Sequence, residues 1–580
     1  MRRLCFIVVA AAVAALARGG GGSLADSQTL YLSPSGSDSG SCTQASPCQS
    51  FSRAYQVADP GATVLVTCGR SSSCRYPAQS IPYTVAKRGQ AACRAAETFP
   101  DGKSRGDMSG CITFRPATGA KPTVASASLE VPYVQLDGLA FAGMVFAGTA
   151  TSRVNQPCTT WNVHDLVLHD LDGSGFVFDA VSDAFVLGGS YGPVFNDASK
   201  VEPCRNGRSH SDGGHVAIDG VTLHDYRQTQ KGVHMECLHF QDGSDSVIVG
   251  SRFLNCAQQD LSVQTQGGSH IDGLDVANNV FDAACSHAQP GDVCGVVSGG
   301  TTTFICNATG ETLTNVTMVS NSLNGSPSFQ RQQSCGMSAI TVRGNILTGP
   351  ATSSCSQEQA VGVSYAYNAY TNATGDECGS GNVLGATPSS TWVNPAAYDY
   401  RLAAGSPAIG IVPASSAEPS TDIAGSLRPL RWRSDAGAYQ RETALVVLGR
   451  SIGAAALGQK ESAITSFFGR PARVSGQRVH GRSLRRLAYS VHGGVLDVTI
   501  DDGRVVALET TSPYYATSAG VGPAASASGL RPRTKATWAK CRRAFRRHYG
   551  RVTVQLGVAH GSNRISSISM TRIPAAPQCG

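Results

Sequence analysis

The stretch Leu274–Phe281 reads LDVANNVF, and its order of apolar and polar residues recurs along more than half of the chain. Clear copies begin at Val316 (VTMVSNSL) and Ile340 (ITVRGNIL). Weaker copies open at Val134, Leu166, Phe185, Val221 and Val247. From Val221 onward the openings lie 26, 27, 42 and 24 residues apart. A period of roughly 20 to 30 residues, lengthened where loops are inserted, is the sequence signature of a solenoid.

Each unit alternates apolar and other residues over its first three positions, which predicts a short strand followed by a turn. A single unit cannot bury its apolar face, but units stacked in parallel can. Helical repeats are disfavoured because the units are short, rich in β-branched residues and interrupted by Gly and Asn. We therefore predict three stacked columns of side chains: Leu274, Val316 and Ile340; Val276, Met318 and Val342; and Asn279, Asn321 and Asn345. In the third column, each buried amide would pair with the next rung and with backbone groups of the turn.

The composition indicates an exported all-β chain. Its 580 residues include 65 Gly and only 15% charged residues, which suits a protein with many turns and leaves room for one long and one small domain. Residues 1–25 combine a positive start, an apolar run and small-residue cleavage sites, which predicts a secretory signal peptide. The apolar run is about 14 residues long, too short to favour a transmembrane segment.

Cysteine usage also favours an oxidising compartment. Apart from Cys5, 18 cysteines remain, an even number spread along the chain, which favours disulfides. Pairing of nearest neighbours would link Cys42–Cys48, Cys68–Cys74, Cys93–Cys111, Cys158–Cys204, Cys237–Cys256, Cys285–Cys294, Cys306–Cys335, Cys355–Cys378 and Cys541–Cys579. Because Cys237 and Cys256 lie inside apolar runs, buried free thiols are the alternative for that pair.

Charge divides the chain into two parts. Residues 441–580 carry 21 Lys and Arg against 6 Asp and Glu, a net charge of +15, and the remaining residues have a net charge of −8. We predict a solenoid over residues 26–440 and a basic α+β accessory domain over residues 441–580. In the latter, two halves each predict a short helix and a hairpin, the first turning at Asp502-Gly503 and the second helix lying between Trp538 and Tyr549.

The two ends of the solenoid carry recognisable motifs. The opening reads YLSPSGSD from Tyr31, with a predicted helix from Phe51 to Ala58 and a Pro-Gly turn before the first solenoid strand. The closing motifs are Asp399–Leu402 (DYRL), Gly405–Ile409 (GSPAI), Thr421–Gly425 (TDIAG) and Asp435–Tyr439 (DAGAY). These motifs resemble those of secreted bacterial right-handed parallel β-helix proteins of the pectate-lyase-like superfamily, over about residues 31–440. Departures are Gln440, where Glu is usual, and Cys42-Thr43 in place of Gly-Thr. The resemblance implies the fold and no single activity, because the superfamily includes lyases, hydrolases, esterases, epimerases and adhesins.

The richest candidate site is the strand from Val233 to Asp242. If Val233, Met235 and Cys237 face inward, His234 and Glu236 face outward, joined by His239 and Gln241. The next rung would add Asp260 and Gln264, and the preceding one Asp179. We assign catalytic roles to Glu236, His234 and Asp260, and binding roles to His239, Gln241, Asp179 and Gln264, because paired carboxylates perform acid–base chemistry and amides bond sugar hydroxyls.

The alternative is a solvated sheet face without activity. The pairs His169-Asp170 and His224-Asp225 are interpreted as turn stabilisers. Lyase chemistry is weakly supported, because only Lys200 and Lys231 lie in the central solenoid. The Asn-Thr-Asp, Asp-Asp and Gly-His-Gly motifs of polygalacturonase-like hydrolases are not present as such. No cofactor and no metal are expected, since no CxxC pair is present and no run of aspartates suits a calcium cage.

Two functions follow from these observations. The first is an exported, monomeric β-helix protein that engages a polysaccharide or cell-wall polymer on its flank, as a glycan-active enzyme of hydrolase or lyase type or as a binder. The second is a non-catalytic surface scaffold or adhesin held to anionic wall polymers by the basic domain. Nucleic acid is not expected as a partner of an exported chain, and the Arg-rich segment from Arg542 to Arg547 is interpreted as a solvated helix face.

Overall fold

The structure is a computed structural model. It describes residues 28–86, 93–98, 104–107, 110–148, 163–202, 214–233, 235–282, 284–294, 301–348, 355–372, 378–415, 418–429, 433–479, 481–491, 493–529, 538–541, 544–560 and 562–573. The signal peptide expected over residues 1–25 lies outside these ranges. Two compact units are formed, one by residues 27–425 with 434–441 and the other by residues 426–433 with 442–580. No helix in the described ranges is long and apolar enough to cross a membrane.

Three long parallel sheets build the first unit. Sheet A contains, in the order in which its strands pair, Thr29–Leu32, Thr63–Val66, Ile112–Pro116, Val134–Asp137, Val163–His169, Val181–Leu187, Val216–Asp219, Ser246–Val249, His270–Ala277, Thr312–Val319, Ile340–Arg343 and Val363–Ala366, with Gly336–Ser338 pairing beside Thr312–Val319.

Sheet B follows the same order of rungs. It contains Ser73–Tyr76, Lys121–Val124, Ala140–Phe141, Asp172–Gly173, Ser190–Tyr191, Thr222–Arg227, Arg252–Cys256, Val280–Phe281, Ser322–Leu323, Ile346–Leu347, Ala369–Thr371 and Val383–Ala386, with Val194–Phe195 pairing beside Thr222–Arg227.

Sheet C contains Gln79–Ile81, Ala127–Leu129, Val145–Gly148, Phe176–Asp179, Ser199–Glu202, Glu236–Phe240, Gln259–Gln264, Thr302–Cys306 and Pro327–Arg331. Each turn of the chain passes through the sheets in succession, and every strand pairs with its equivalent one turn later. The first unit is a right-handed parallel β-helix.

The predicted stacking of the apolar positions is confirmed. Leu274 pairs with Val316, and Val276 pairs with Met318, which in turn pairs with Val342. All of these side chains are fully buried in one core that runs through the unit. The core therefore consists of columns of equivalent residues, one from each rung.

The predicted openings of two weak copies of the repeat differ from the observed register by one residue. Phe185 pairs with Val167, and Val247 with Ala217, so both point to the outer face of sheet A. There they form a second apolar cluster with Val167 and Ala217. Because this part of sheet A is apolar on both faces, the alternation of the sequence does not identify the inner one.

The predicted opening at Val221 lies five residues after the observed one, Val216. The strand of its rung is Val216–Asp219, and Val221 lies after it, at the turn into sheet B. Its backbone N–H donates to Ser251 Oγ at 3.2 Å, whose own backbone N–H donates to Asn279 Oδ1 at 2.9 Å. Val221 therefore occupies the turn position that Asn279 fills two rungs later.

The asparagine ladder is confirmed and is longer than predicted. Asn279 donates its backbone N–H to Asn321 Oδ1 at 2.9 Å, and Asn321 donates to Asn345 Oδ1 at 2.8 Å. Two further members follow, because Asn345 donates to Asn368 Oδ1 and Asn368 to Asn382 Oδ1, both at 2.9 Å. The side chains thus satisfy backbone donors that each turn leaves without a sheet partner.

A short helix covers the first rungs, as predicted. It spans Phe51–Val57, and the Ser50 side chain accepts the Arg53 N–H at its start. Phe51 stacks on Phe114 with 4.5 Å between ring centroids, and Tyr55 donates its hydroxyl to Pro132 O at 2.9 Å. The helix therefore shields apolar surface that the first rung would otherwise expose. A two-stranded antiparallel pair, Arg94–Thr98 with Ser104–Asp107, lies outside the three long sheets.

The closing segment lies on the outer face of sheet B. It contains the helix Pro388–Thr391, the 3-10 turn Pro395–Ala397 and the antiparallel strands Trp392–Asn394 and Asp399–Leu402, and is preceded by the helix Cys355–Ala360. Trp392 and Tyr400 are buried against Val280 and Ile346 of the sheet. This face of sheet B is therefore covered over its later rungs.

Disulfides form between nearest neighbours, as predicted for seven of the pairs. The bonds are Cys42–Cys48, Cys68–Cys74, Cys93–Cys111, Cys237–Cys256, Cys285–Cys294, Cys306–Cys335 and Cys355–Cys378. The alternative of buried free thiols at Cys237 and Cys256 is therefore wrong. Cys158, Cys204 and Cys579 lie outside the described residues.

The second unit is built on an antiparallel sheet. In spatial order its strands are Arg473–Val479, Arg482–Val491, Gly494–Asp501, Arg504–Thr510, Ile565–Thr571, Val552–Val558, Ala544–Tyr549 and Ala539–Cys541. The helix Glu461–Phe468, the 3-10 turn Ala527–Gly529 and three short strands, Val446–Val447, Ser451–Ile452 and Ala455–Ala456, complete it.

The predicted hairpin turn at Asp502-Gly503 is confirmed, with positive φ at both residues. The predicted second helix is wrong in its later part, because Ala544–Tyr549 is a strand. Phe545 pairs with Leu556, and partly buried apolar residues of this strand pack on the core of the unit. Arg546 and Arg547 accordingly lie on a sheet and not on a helix face.

Candidate functional site

The outer face of sheet C forms an ordered array of polar side chains. Phe178, Val201, Phe240 and Val263 point inward and are buried. Residues on either side of this column therefore point outward. One row on this side of the strands contains Phe146, Val177, Lys200, His239, Ser262, Thr303 and Ser328 in paired register, and its last three members are buried. The other contains Asp179, Glu202, Gln241, Gln264, Ile305 and Gln330.

The four predicted binding residues lie together on sheet C, but Gln241 is only 5% exposed, whereas His239, Gln264 and Asp179 are partly exposed. Asp179 belongs to the second row, two strands before Gln241 and not one as predicted, because Ser199–Glu202 lies between them. Gln264 follows one strand after Gln241. His239 lies in the neighbouring row, and its Nε2 is 3.1 Å from Gln241 Nε2. Gln241 Nε2 also donates to Gln266 Oε1 at 2.5 Å. These contacts hold the amide of Gln241 and the ring of His239 in fixed positions.

The predicted catalytic residues are placed differently. Glu236 is 4% exposed and Asp260 is fully buried, whereas both are predicted from the sequence to face outward. Strict alternation, assumed from Val233, holds only from Leu238 onward, because Glu236 begins its strand next to the Cys237–Cys256 disulfide. His234 lies outside the described residues.

Asp260 has an unusual environment. Neither oxygen of its carboxyl group has a hydrogen-bond partner. Burial, reinforced by the charge of nearby Asp282, raises the pKa of Asp260 well above its ordinary value. Tyr400 donates its hydroxyl to Asp282 and accepts a hydrogen bond from Asn324 Nδ2 at 3.2 Å. A neutral, buried Asp260 suits a structural position better than proton exchange with a bound ligand.

Sequence reasoning missed three contributors to the outer face of sheet C. Lys200 lies beside His239 and is 3.2 Å from Asp197, Glu202 continues the row of Asp179, and Phe146 is 46% exposed at the same face. The period-two alternation identifies such residues only after the register of each rung is known. Among the described residues, no group of three His, Cys, Asp or Glu side chains is arranged to hold a metal ion.

This array can bind a linear polar ligand. Amides and hydroxyls donate and accept hydrogen bonds without a fixed charge, and an exposed aromatic ring offers an apolar surface to a sugar ring. The rows repeat at the spacing of adjacent strands, about 4.8 Å. A ligand that lies along the β-helix axis would therefore contact side chains of successive rungs.

Comparisons with known proteins give a limited result. No family model matches the chain, and no curated protein matches it. Among solved structures, a pectate lyase shares 14% identity, with a TM-score of 0.39, and the match covers 71% of this chain and 96% of that one. The XylC protein in complex with xylose shares 10% identity, with a TM-score of 0.37, and coverage of 71% and 98%.

A third similarity is shorter. A cysteine-rich secretory protein from Staphylococcus aureus shares 14% identity, with a TM-score of 0.17, over 20% of this chain and 44% of its own length. This chain therefore spans less than half of that protein. The assignment of the β-helix fold rests on the strand pairing described above.

Proposed function

We propose that the protein is an exported β-helix protein that binds an extended polysaccharide along the outer face of sheet C. The observation that carries this proposal is that the partly exposed His239 and Gln264 lie on neighbouring strands of sheet C, with Asp179 two strands before His239. Their spacing suits a ligand that lies along the axis and contacts several rungs.

Carbohydrate is favoured by the chemistry of this face. Its partly exposed groups include the imidazole of His239, the amide of Gln264 and the carboxylate of Asp179, and such groups bond sugar hydroxyls as hydrogen-bond donors and acceptors. Phe146 lies at the same face and provides a ring on which a sugar can stack.

Export is part of the proposal. It is supported by the predicted signal peptide at residues 1–25 and by seven disulfides, which persist in oxidising compartments.

We favour binding of the glycan over its cleavage as the function of this face. An acid–base mechanism needs two carboxyl groups that reach the scissile bond. Glu236 and Asp260 are buried, and Asp179 and Glu202 lie side by side in one row of the face. Glycoside hydrolysis by Glu236 and Asp260, with His234 assisting, would need both carboxyl groups to become accessible to the glycan.

The test is affinity electrophoresis of the full chain against a panel of neutral and acidic polysaccharides. We expect retardation by at least one glycan, and the double variant His239→Ala/Gln264→Ala should weaken it about tenfold or more, since each lost hydrogen bond contributes about 0.5–1.5 kcal/mol. Gln477→Ala, an exposed glutamine of the second unit, is the matched control. Release of reducing ends or unsaturated uronides in the same samples would restore an enzymatic role.

A second candidate function has its own observation. The second unit exposes Arg473 and Arg478 on an edge strand and Arg482 on its neighbour, within a segment of net charge +15. We propose that this unit binds anionic wall polymers by charge. Retention of the full chain on such a polymer should fall between 0.1 and 1 M salt, because the screening length shrinks from about 10 to about 3 Å. Salt-independent retention would exclude this function.

A further inference from the structure

A serine, a histidine and an aspartate form a hydrogen-bonded relay on sheet B. Ser190 Oγ is 3.1 Å from His224 Nε2, and His224 Nδ1 is 2.9 Å from Asp225 Oδ2. The second oxygen, Asp225 Oδ1, accepts a hydrogen bond from Asn255 Nδ2 at 2.7 Å. The order of hydroxyl, imidazole and carboxylate is that of a nucleophile, its base and the group that orients the base.

The β-helix fixes the positions of the first two residues. Ser190 pairs with Thr222 and Tyr191 with Leu223, and Tyr191 and Leu223 are buried in the core. Ser190 and His224 therefore point to the outer face from neighbouring strands. The side chain of His224 is 28% exposed and that of Asp225 is 44% exposed, so a ligand in solvent can reach the relay.

The backbone that follows Ser190 passes close to His224. Gly192 has a φ of 147°, and a Cβ added there would lie 1.9 Å from His224 O. Only glycine allows the chain after Ser190 to pass this close to His224.

Electrostatics favour the orienting role of Asp225. Partial burial acts to raise its pKa, but the hydrogen bonds from Asn255 and His224 outweigh burial and hold the pKa of Asp225 below its ordinary value. The carboxylate is therefore charged near neutral pH. With Asp225 at Nδ1, that nitrogen carries the proton and Nε2 is free to accept one from Ser190.

Another histidine on the β-helix shows what a structural pair looks like. His169 Nδ1 is 2.7 Å from Asp137 and its Nε2 is 3.5 Å from Asp170. Both nitrogens face carboxylates, which leaves no basic nitrogen for a hydroxyl. His224 differs because one of its nitrogens faces Ser190.

We propose that Ser190, His224 and Asp225 form an acyl-transfer centre that hydrolyses carboxylic esters. Ser190 Oγ would attack the acyl carbon while its proton passes to His224 Nε2. The C–O bond to the leaving alcohol then breaks, and the alcohol takes that proton. Water, deprotonated by His224, attacks the acyl-serine, and the carboxylic acid leaves as Ser190 regains its proton.

The surroundings of Ser190 define the substrate class. Ser190 is paired with Asp172 on one neighbouring strand and with Thr222 on the other. The exposed carboxylate of Asp172 disfavours an anionic ester, whereas the hydroxyl of Thr222 offers a donor to the developing oxyanion. The relay lies on an open strand face, which suits a short acyl group on an uncharged alcohol. This activity is independent of glycan binding on sheet C.

Fluorophosphonate labelling of the full chain, followed by peptide mapping, tests the proposal. We expect one covalent adduct, at Ser190, and hydrolysis of p-nitrophenyl acetate that falls at least 100-fold in Ser190→Ala and in His224→Gln. Asp225→Asn should lower the rate of p-nitrophenyl acetate hydrolysis although it leaves Ser190 in place. The controls are Ser174→Ala, a serine whose hydroxyl donates to Ala142 O, and His169→Gln, and both should keep the adduct and the rate.

Melting temperatures separate chemistry from folding. Loss of labelling in Ser190→Ala at an unchanged melting temperature supports the proposal. Absence of any adduct in the folded wild type, or an adduct that persists in Ser190→Ala, would overturn it. If His224→Gln lowers the melting temperature and leaves labelling intact, the His224–Asp225 pair is structural only.

Discussion

Replacing Asn321 by alanine should destabilise the β-helix strongly, because this side chain lies inside the asparagine ladder, between Asn279 and Asn345. Its Oδ1 accepts the backbone N–H of Asn279 at 2.9 Å and the Asn279 side-chain amide at 3.1 Å. Its Nδ2 donates to Val276 O at 2.8 Å and to Asn345 Oδ1 at 3.0 Å. Asn321 is fully buried, so water does not replace these partners without rearrangement.

The magnitude follows from the groups left behind. Asn321→Ala leaves the buried backbone N–H of Asn279 without its partner, at a cost of about 1–3 kcal/mol. It also removes one hydrogen bond each from the Asn279 side chain, Val276 O and Asn345 Oδ1, worth about 0.5–1.5 kcal/mol apiece. Allowing for partial rearrangement, we expect the free energy of unfolding to fall by about 4 kcal/mol. Asn321→Ser should lose about half as much, since Ser251 already fills an equivalent position and its Oγ accepts the Val221 N–H.

The assay is urea denaturation followed by circular dichroism, with linear extrapolation to water. Asn394→Ala is the matched control, because Asn394 is exposed and its side chain caps no helix. Its effect should stay within about 0.5 kcal/mol. The reasoning is refuted if Asn321→Ala and Asn394→Ala unfold at the same urea concentration.

Three further predictions concern buried groups. Burial raises the pKa of Glu358 to about 7 despite a hydrogen bond from Tyr365. The folded state therefore holds this proton more tightly than the unfolded state. The free energy of unfolding should fall by at most about 3 kcal/mol as pH rises from about 4.5 to about 7. Glu358→Gln should remove that part of the pH dependence. Burial likewise raises the pKa of Asp260, so Asp260→Asn should raise the melting temperature at pH 7. Replacing Cys237 and Cys256 by serine should lower the free energy of unfolding by about 3 kcal/mol, as expected for a loop of 19 residues.

Controls for these variants come from the same chain. Asp59→Asn changes an exposed carboxylate and should leave the melting temperature unchanged. A Glu358→Gln protein with the wild-type pH profile would contradict the assignment of that proton. A lower melting temperature for Asp260→Asn would show that Asp260 is charged in the folded protein, and unchanged stability without the Cys237–Cys256 bond would contradict its role at the corner.

The core columns and the ladder were predictable because each rests on a periodic signal. Val276, Met318 and Val342 repeat at one position, and Asn279, Asn321 and Asn345 follow three residues later in each rung. Asn368 and Asn382 extend the ladder where the apolar pattern weakens, and the sequence pattern alone did not include them.

The predicted register is wrong where both faces of a strand are apolar. Phe185 and Val247 satisfy the repeat as well as their neighbours do, and only the apolar cluster on the outer face of sheet A assigns them. For the candidate site, the sequence correctly predicts that His239 and Gln264 face outward. It wrongly predicts that Glu236 and Asp260 do, because the alternation of inward and outward residues breaks near the Cys237–Cys256 disulfide. The relay of Ser190 and His224 joins residues 34 positions apart, a distance that no local pattern spans.

The most direct test of glycan binding on sheet C is the dissociation constant of a retarding polysaccharide for wild type and for His239→Ala/Gln264→Ala. We expect the constant to rise about tenfold or more, with an unchanged melting temperature and an unchanged constant for Gln477→Ala. Equal affinity of the double variant and the wild type would contradict the proposal that this face binds the glycan.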